Sequence, residues 1–354
     1  MNVNRKDLLK AIETVRKAVA SSDTMPLLTH ILVDAAEITA TDMDIGIVTE
    51  FPMFEGKEFL VPADRFYKLL SSLSHEFLDM ELEDDGLLIK AKGHESKLAT
   101  APVPEGFPRV HRDFREWQIA PAKLMEALKF CLRSTSEAAG AQFGGIMWSE
   151  DGFVSSDTEV VSWCRPTEGD IAPEEPILMT AKFAREAVRL GQPEGWVVHE
   201  STICFLYEKT QLVGQLIGAS FPDQWRGYFP AEVPENMIPF GDDMKETLAR
   251  IGKFSETDPL TSAGGELTTI VLDGKRIVLS YQDSQGAILE RMRLKGAEAC
   301  SFQVDSGLLA GVLTRCSKGA YLDINGRPML YLEGEHGWPR AVMTVAPVEV
   351  KESG

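Results

Sequence analysis

FLVPADRFYKLLSSL, residues 59–73, changes its period in the middle. Phe59-Leu60-Val61 is an apolar, strand-like run. Pro62 follows where a helix best tolerates proline, at its first position, because the missing N–H would be unpaired there anyway. Phe66, Leu69, Leu70 and Leu73 then recur at helical spacing, with Asp64, Arg65 and Lys68 turned elsewhere. The same strand-into-helix unit returns at Ile177 to Lys182, running on to Leu190, and at Ser301 to Asp305, running on to Cys316. Pro62, Thr180 and Val304 hold similar places, 118 and 124 residues apart. The chain therefore reads as one unit of roughly 118 residues written three times.

Outward from that stretch, the first unit opens with an amphipathic helix over residues 5–19. Leu8, Leu9, Ile12, Val15 and Val19 lie on one face and Lys6, Lys10, Arg16 and Lys17 on the other. Leu27 to Val33 and Glu37 to Phe51 read as strands, the second as a half-buried pair. Phe77 to Glu83, Leu87 to Lys92 after the Asp84-Asp85-Gly86 turn, and Lys97 to Ala101 follow. Pro102, Pro104, Gly106 and Pro108 break the pattern and mark a boundary near 108–116.

The second unit repeats the order. It has a helix from Pro121 to Arg133, strands at 145–148 and 153–164, the Lys182–Leu190 helix, then strands at 196–199, 203–208 and 212–218. Phe221-Pro222 closes it as Phe107-Pro108 closes the first. In the third unit a helix near Asp243–Phe254 leads to strands at 267–272, 276–281 and 287–294. The Ser306–Cys316 helix and strands at 321–324, 329–333 and 341–345 complete it. Asp42, Asp157 and Asp283 follow the same strand in each unit. The expectation is an α+β chain with domains at 1–112, 113–230 and 231–354, each with two helices on one face of antiparallel sheet. Three in a row would form an arc with the helices on one side.

A length of 354 residues suits three domains better than one core. The apolar runs are short and interrupted, which predicts no membrane span, and the opening MNVNRKDLLK lacks the apolar stretch of a signal peptide. Cys131, Cys164, Cys204, Cys300 and Cys316 are scattered and never form C-x-x-C, as expected for buried reduced thiols of a cytoplasmic protein. A net charge of −18 argues against a surface that grips nucleic acid everywhere. The charge is segregated, however. Residues 5–17, 62–73, 121–133, 181–190, 242–253 and 305–318, which span the six expected helices, hold 18 Lys or Arg against 9 Asp or Glu, and the rest of the chain 18 against 45. Basic helices on an acidic body tolerate phosphates on the helix side and repel them elsewhere. Lys182, Arg185 and Arg189 share one stripe, as do Lys6, Lys10 and Lys17.

In order, Pro26-Leu27-Leu28, Thr41-Asp42, Val61-Pro62-Ala63 and Phe107-Pro108 resemble the first domain of the bacterial sliding clamp, the beta subunit of DNA polymerase III. Phe221-Pro222-Asp223, Leu248-Ala249-Arg250 and Ala341-Val342-Met343 extend the resemblance through the second and third. It implies that the chain is half of a ring. Two copies would join head to tail as a homodimer, with duplex DNA in a helix-lined hole and processivity supplied by topology. A heterologous contact that closes does give a ring, and such a lumen needs only a diffuse positive field. The basic residues expected to line it are Lys6, Lys10, Arg16, Lys17, Arg65, Lys68, Lys123, Arg133, Lys182, Arg185, Arg189, Arg250, Arg315 and Lys318.

The resemblance also implies a cleft for a short peptide of the polymerase or clamp loader. Phe143, Ser156, Val161, Pro222, Gly227, Ala341 and Met343 would form it, with Arg226 at its edge. Ser96, Leu98, Lys253 and Phe254 match dimer-interface positions. Three departures stand out. Gly-His-Arg-Leu of the family reads Thr158-Glu159-Val160-Val161, and its Met-Pro-Met ending reads Met343-Thr344-Val345. Ser22, Asp23 and Thr24 replace a basic DNA contact. Such divergence fits a clamp carried by a phage or mobile element and acting in a host cytoplasm.

No enzyme reading rises to the same level. His30, His75, His94, His111, His199 and His336 show no metal-ligand spacing, and no glycine-rich phosphate cradle is present. The Glu83-Asp84-Asp85 and Asp242-Asp243 runs suit a turn and a helix start. Trp163, Trp225 and Trp338 suit core or interface positions. The expectation is a processivity factor with no catalytic site, metal or cofactor. The competing reading is a non-ring scaffold or inhibitor of clamp fold that binds replication proteins, with an enzyme of unknown class third.

Overall fold

The computed structural model describes residues 1–21, 25–54, 56–84, 86–111, 114–165, 169–255, 267–282, 286–293 and 299–348, leaving aside the side chains of 254, 255 and 336. In chain order, β1 (Asn2–Asn4), α1 (Arg5–Val15), β2 (His30–Val33), β3 (Glu37–Thr41), β4 (Ile45–Glu50), β5 (Phe59–Pro62) and α2 (Ala63–Ser72) come first. Next are β6 (Phe77–Glu83), β7 (Gly86–Ala91), β8 (His94–Leu98), β9 (Gln118–Ile119) and α3 (Leu124–Cys131). Then come β10 (Gly145–Ser149), β11 (Gly152–Ser156), β12 (Val160–Cys164), β13 (Ile177–Thr180), α4 (Ala181–Leu190), β14 (Gly195–His199), β15 (Thr202–Tyr207) and β16 (Thr210–Gln215). After β17 (Ile238–Pro239) and α5 (Asp242–Ser255) the chain forms β18 (Leu267–Leu272), β19 (Arg276–Gln282), β20 (Ala287–Arg293), β21 (Cys300–Asp305) and α6 (Ser306–Leu313). β22 (Cys316–Ile324), β23 (Arg327–Gly334), β24 (Arg340–Thr344) and β25 (Ala346–Pro347) end it.

The strand order is written three times. β5-β2-β3-β4, β13-β10-β11-β12 and β21-β18-β19-β20 share one pattern; β1-β6-β7-β8, β9-β14-β15-β16 and β17-β22-β23-β24 share a second. Neighbouring strands such as β2 and β5, β11 and β12, and β18 and β21 run antiparallel, and the fold is α+β. β4 pairs with β16 and β12 with β24, so those four half-patterns fuse into two eight-stranded sheets. β8 and β20 are the equivalent strands that stay at sheet edges.

By contacts the chain divides into two compact units. One comprises 1–125, 169–171 and 179–218, the other 126–168, 172–178 and 219–354. This division cuts through the second repeat, because the fused sheets bind its halves to their neighbours.

Local chemistry explains the elements. The Asn4 side chain accepts from the N–H groups of Lys6 and Asp7 to start α1, and Arg5 ends α2 by donating to the Leu70 and His75 carbonyls. Pro62 is the N-cap of α2 and the last residue of β5, one place earlier than the sequence predicts. Thr180 and Asp305 are the matching caps of α4 and α6, each accepting an N–H from its helix's first turn. The third equivalent is thus Asp305 and not Val304.

Asp42 and Asp157 build identical turns. Each carboxylate accepts the N–H groups two and three residues on, with Met43 at φ 79° and Thr158 at φ 82°. The Asp157 turn splits the single strand expected over 153–164 into β11 and β12. Asp283, the third of the series, lies outside the described residues, as does Asp85 of the predicted 84–86 turn.

Other expectations shift for definite reasons. Residues Pro26–Thr29 form a 3-10 turn, closed by Thr29 donating to the Pro26 carbonyl, so the strand expected from Leu27 starts at His30. The strand expected at 97–101 ends at Leu98, because Ala101 leaves it to pair with Leu60. The first helix ends as α1 at Val15 and continues as a 3-10 turn; α3 likewise gives way to a 3-10 turn at Leu132–Ser134. α6 stops at Leu313, and Cys316 already belongs to β22. The pair β3 and β4 is buried almost throughout rather than half-buried. The chain after Pro108 covers its second face: Val110 sits on Gly46, where an added Cβ would lie 2.5 Å from the valine.

Candidate functional site

Strand pairing in the second compact unit, which includes 126–168 and 219–354, builds a cavity of about 340 Å3. Four of the residues expected at a peptide cleft, Phe143, Ser156, Val161 and Pro222, line it. Arg226 and Gly227 sit on the flanking 3-10 turn Asp223–Tyr228, outside the lining. Ala341 and Met343 are 0% and 2% exposed and do not line the cavity; Met329 and Thr344 stand where they were expected. Parity is the reason. Residues directly opposite in antiparallel strands share a face, and Met343 lies opposite Val160 and Leu330. Val160 faces α6, with Gly307 and Leu308. Thr344 points the other way, across from Met329.

The aromatic part of this site was not gathered by sequence reasoning, which took its tryptophans singly. Trp163 packs edge-on to Trp225 at 5.2 Å, Phe229 at 5.1 Å and Trp338 at 4.7 Å between ring centroids. Arg340 lies over Trp338 at 4.5 Å, and Arg226 over Trp225 at 4.8 Å. Trp225 is 3% exposed, lines the cavity and holds a buried indole N–H with no hydrogen-bond partner among the described residues. Its place beside Pro222 was the available signal. Arg226 is also ion-paired with Asp151, which removes its charge from the cavity's free complement.

The expected DNA-facing cations divide into two groups. Lys6, Lys10, Lys17, Arg65, Lys68, Lys123 and Arg185 are exposed, and no ion pair to them is found among the described residues. The others have work within the fold. Lys182 reaches from α4 to Asp42 and Asp44. Burial lowers its ammonium pKa, but the two carboxylates more than offset this and raise it above the ordinary lysine value. Arg189 holds Glu186 and donates to the Thr14 carbonyl; Arg133 donates to the Gly311 carbonyl at 2.7 Å. Arg16 lies 3.9 Å over the Tyr67 ring, Arg250 pairs with Glu290 and Arg315 approaches Glu126 at 3.9 Å. Arg315 and Lys318 are not helical: one follows α6 and the other lies on β22, 3.9 Å from the buried Glu333.

Of the expected interface residues, Ser96 and Leu98 are half-buried on the edge strand β8, and Lys253 is exposed on α5. The Phe254 side chain lies outside the described residues, as do Ser22, Asp23 and Thr24. Among the described residues no group of three His, Cys, Asp or Glu is placed to hold a metal ion.

Residues 1–111 match the family of the DNA polymerase III beta subunit, N-terminal domain. The Beta sliding clamp of Escherichia coli (strain K12) is 21% identical over 274 residues, 72% of this chain and 74% of that protein. The Beta sliding clamp of Pseudomonas aeruginosa is 29% identical over 116 residues, 30% of this chain and 31% of that protein. Among solved structures, the beta subunit from the DNA polymerase of Streptococcus pyogenes superposes with a TM-score of 0.82 at 16% identity, covering 98% of this chain and 99% of that one. A sliding clamp from Pseudomonas aeruginosa, bound to griselimycin, gives 0.82 at 17% identity with the same coverage. The fold is that of the polymerase III beta clamps. The sequence match to that family is confined to the first domain, and the similarity to sliding clamps over most of the chain is at about one residue in five.

Proposed function

We propose that the chain is a DNA sliding clamp, with repeats 1–112, 113–230 and 231–354 as its domains. Two copies close head to tail into a ring around duplex DNA, and the cavity near Trp225 holds a peptide of the replicative polymerase or clamp loader. The observation that carries this reading is the pair of open edges. β4–β16 and β12–β24 seal two junctions of the same kind, while among the described residues β8 and β20 are left with one free side each. Exposed edges invite pairing with another chain, and a third junction of β20 with β8 of a second copy would close the series in both directions. Ser96 and Leu98 lie on that edge; Lys253 and Phe254 belong to the helix of the other end. The relatives' names support roles in replication, and the griselimycin-bound clamp shows that one relative takes a ligand. The ring acts through topology and binding, without a catalytic step of its own, in the cytoplasm. No described helix is long and apolar enough to cross a membrane.

Retention on nicked circular DNA tests the proposal. Loaded protein should stay on the circle through gel filtration and leave after linearisation, and it should sediment as a dimer that Leu98→Glu shifts toward monomer. A monomer that binds replication peptides but never depends on DNA topology would replace the ring with the scaffold reading.

A further inference from the structure

The peptide cavity carries a charge pattern of its own, and the inference drawn from it rests on the proposed docking of a partner peptide there. Glu159 stands at the cavity mouth at the end of the Asp157 turn. Its backbone is fixed: the carbonyl accepts from the Thr344 N–H at 2.9 Å and the Thr344 hydroxyl at 3.3 Å, while its N–H donates to Asp157 at 3.0 Å. Its side chain is exposed and has no ion pair among the described residues.

The neighbouring charges do not cancel it. The Asp157 carboxylate already accepts two backbone N–H groups, and Arg226 is held by Asp151. Asp223, beside the lining residues Pro222 and Gln224, is 97% exposed and lies 3.9 Å from the same Arg226, so two carboxylates share one guanidinium on this side. Among the described residues the one other charged residue of the lining is Arg327, at the start of β23. β24 lies between β12 and β23, and Arg327 is two residues along its strand from Met329, the partner of Thr344. Strand spacing and rise then put the backbones of Glu159 and Arg327 roughly 10–12 Å apart. That is about three to four residues of an extended peptide.

We propose that the cavity selects a peptide with a large apolar anchor and a basic residue beside it, the cation meeting Glu159. The apolar floor of Phe143, Val161 and Trp225 takes the anchor, and a few such contacts dominate binding. The carboxylate decides between peptides with the same anchor, because a like charge at that position is repelled and an unlike one attracted. Arg327 stands far enough away to leave that choice intact and to meet an acidic group on the anchor's other side.

The test uses the full chain and fluorescent nine-residue peptides with one Leu-Phe anchor and a single Lys or Glu at each flanking position in turn. At low salt, one position should favour Lys over Glu by about five- to tenfold, the scale expected when a solvent-exposed attraction replaces a repulsion. Glu159→Gln should flatten the preference and Glu159→Lys reverse it, both at an unchanged melting temperature, and added salt should shrink it. Binding without a charge preference at any position, or a preference that survives Glu159→Lys, would overturn this inference and leave the docking site standing. If no peptide binds, both the docking site and the charge rule fall.

Discussion

Met343 shows how one residue can belong to a recognisable motif and still serve the core. Its place near the end of the chain suggests a pocket wall, yet the register of β24 turns it toward α6 and turns Thr344 to the cavity. At 2% exposure it has the burial of a packed core side chain. Met343→Ala should cost about 2–5 kcal/mol of stability, from lost burial and the cavity left behind. Chemical denaturation would measure this, with peptide affinity unchanged at temperatures where the variant is folded. Loss of peptide binding at unchanged stability would return Met343 to the site. Alternation could not have settled this from sequence alone. Arg340 to Thr344 reads apolar on both faces over Ala341-Val342-Met343, because this central strand is covered on both sides.

At the scale of elements, the helix starts and turns were legible because side-chain chemistry fixes them locally. Thr180 capping α4 and Asp42 and Asp157 folding their turns are contacts within a few residues. What joins one repeat to the next was not legible: β4 meets β16 with paired residues 161 to 169 apart in the chain, and no local pattern announces it. The partners of charged side chains were hidden for the same reason. Lys182 looks like one more cation on a basic stripe, but it pins α4 to the β3–β4 turn through Asp42 and Asp44. The matching helix start in the next repeat is Gly307, and there a cavity of about 250 Å3 opens beside Val160. Lys182→Ala should therefore lower stability by about 1 kcal/mol, the small value appropriate to a pair with one partly exposed member. The pH dependence follows from the raised ammonium pKa. A lysine whose folded value exceeds its unfolded one contributes fully below the unfolded pKa of about 10.4 and loses that contribution as pH climbs through the folded value. Thermal melts of wild type and Lys182→Ala should differ by a constant amount at neutral pH and converge above about pH 10.4. A gap that persists in strong alkali would mean that packing, and not the ion pair, explains the loss.

For the whole molecule, the proposed function requires an acidic chain, −18 overall, to hold a polyanion without gripping it. The two groups of cations offer a way to do so. Charges already paired with carboxylates have given up part of their field to the fold. Lys6, Lys10 and Lys17, exposed and without ion pairs among the described residues, have not. Each phosphate neutralised releases condensed counterions, so the salt dependence of binding counts the contacts made: the slope of log K against log salt changes by about 0.9 per contact on duplex DNA. In a ring of two copies every substitution acts twice. The combined change of Lys6, Lys10 and Lys17 to Ala should flatten the slope by several units, to an equal degree on DNA of any sequence, because phosphate contacts carry no base information. Lys182→Ala should leave the slope nearly as it was while lowering stability. Equilibrium titration of a short labelled duplex across a salt series would read both outcomes. Equal flattening by the paired and unpaired lysines would show that Lys182 serves DNA after all, and a sequence-dependent change would argue against sliding.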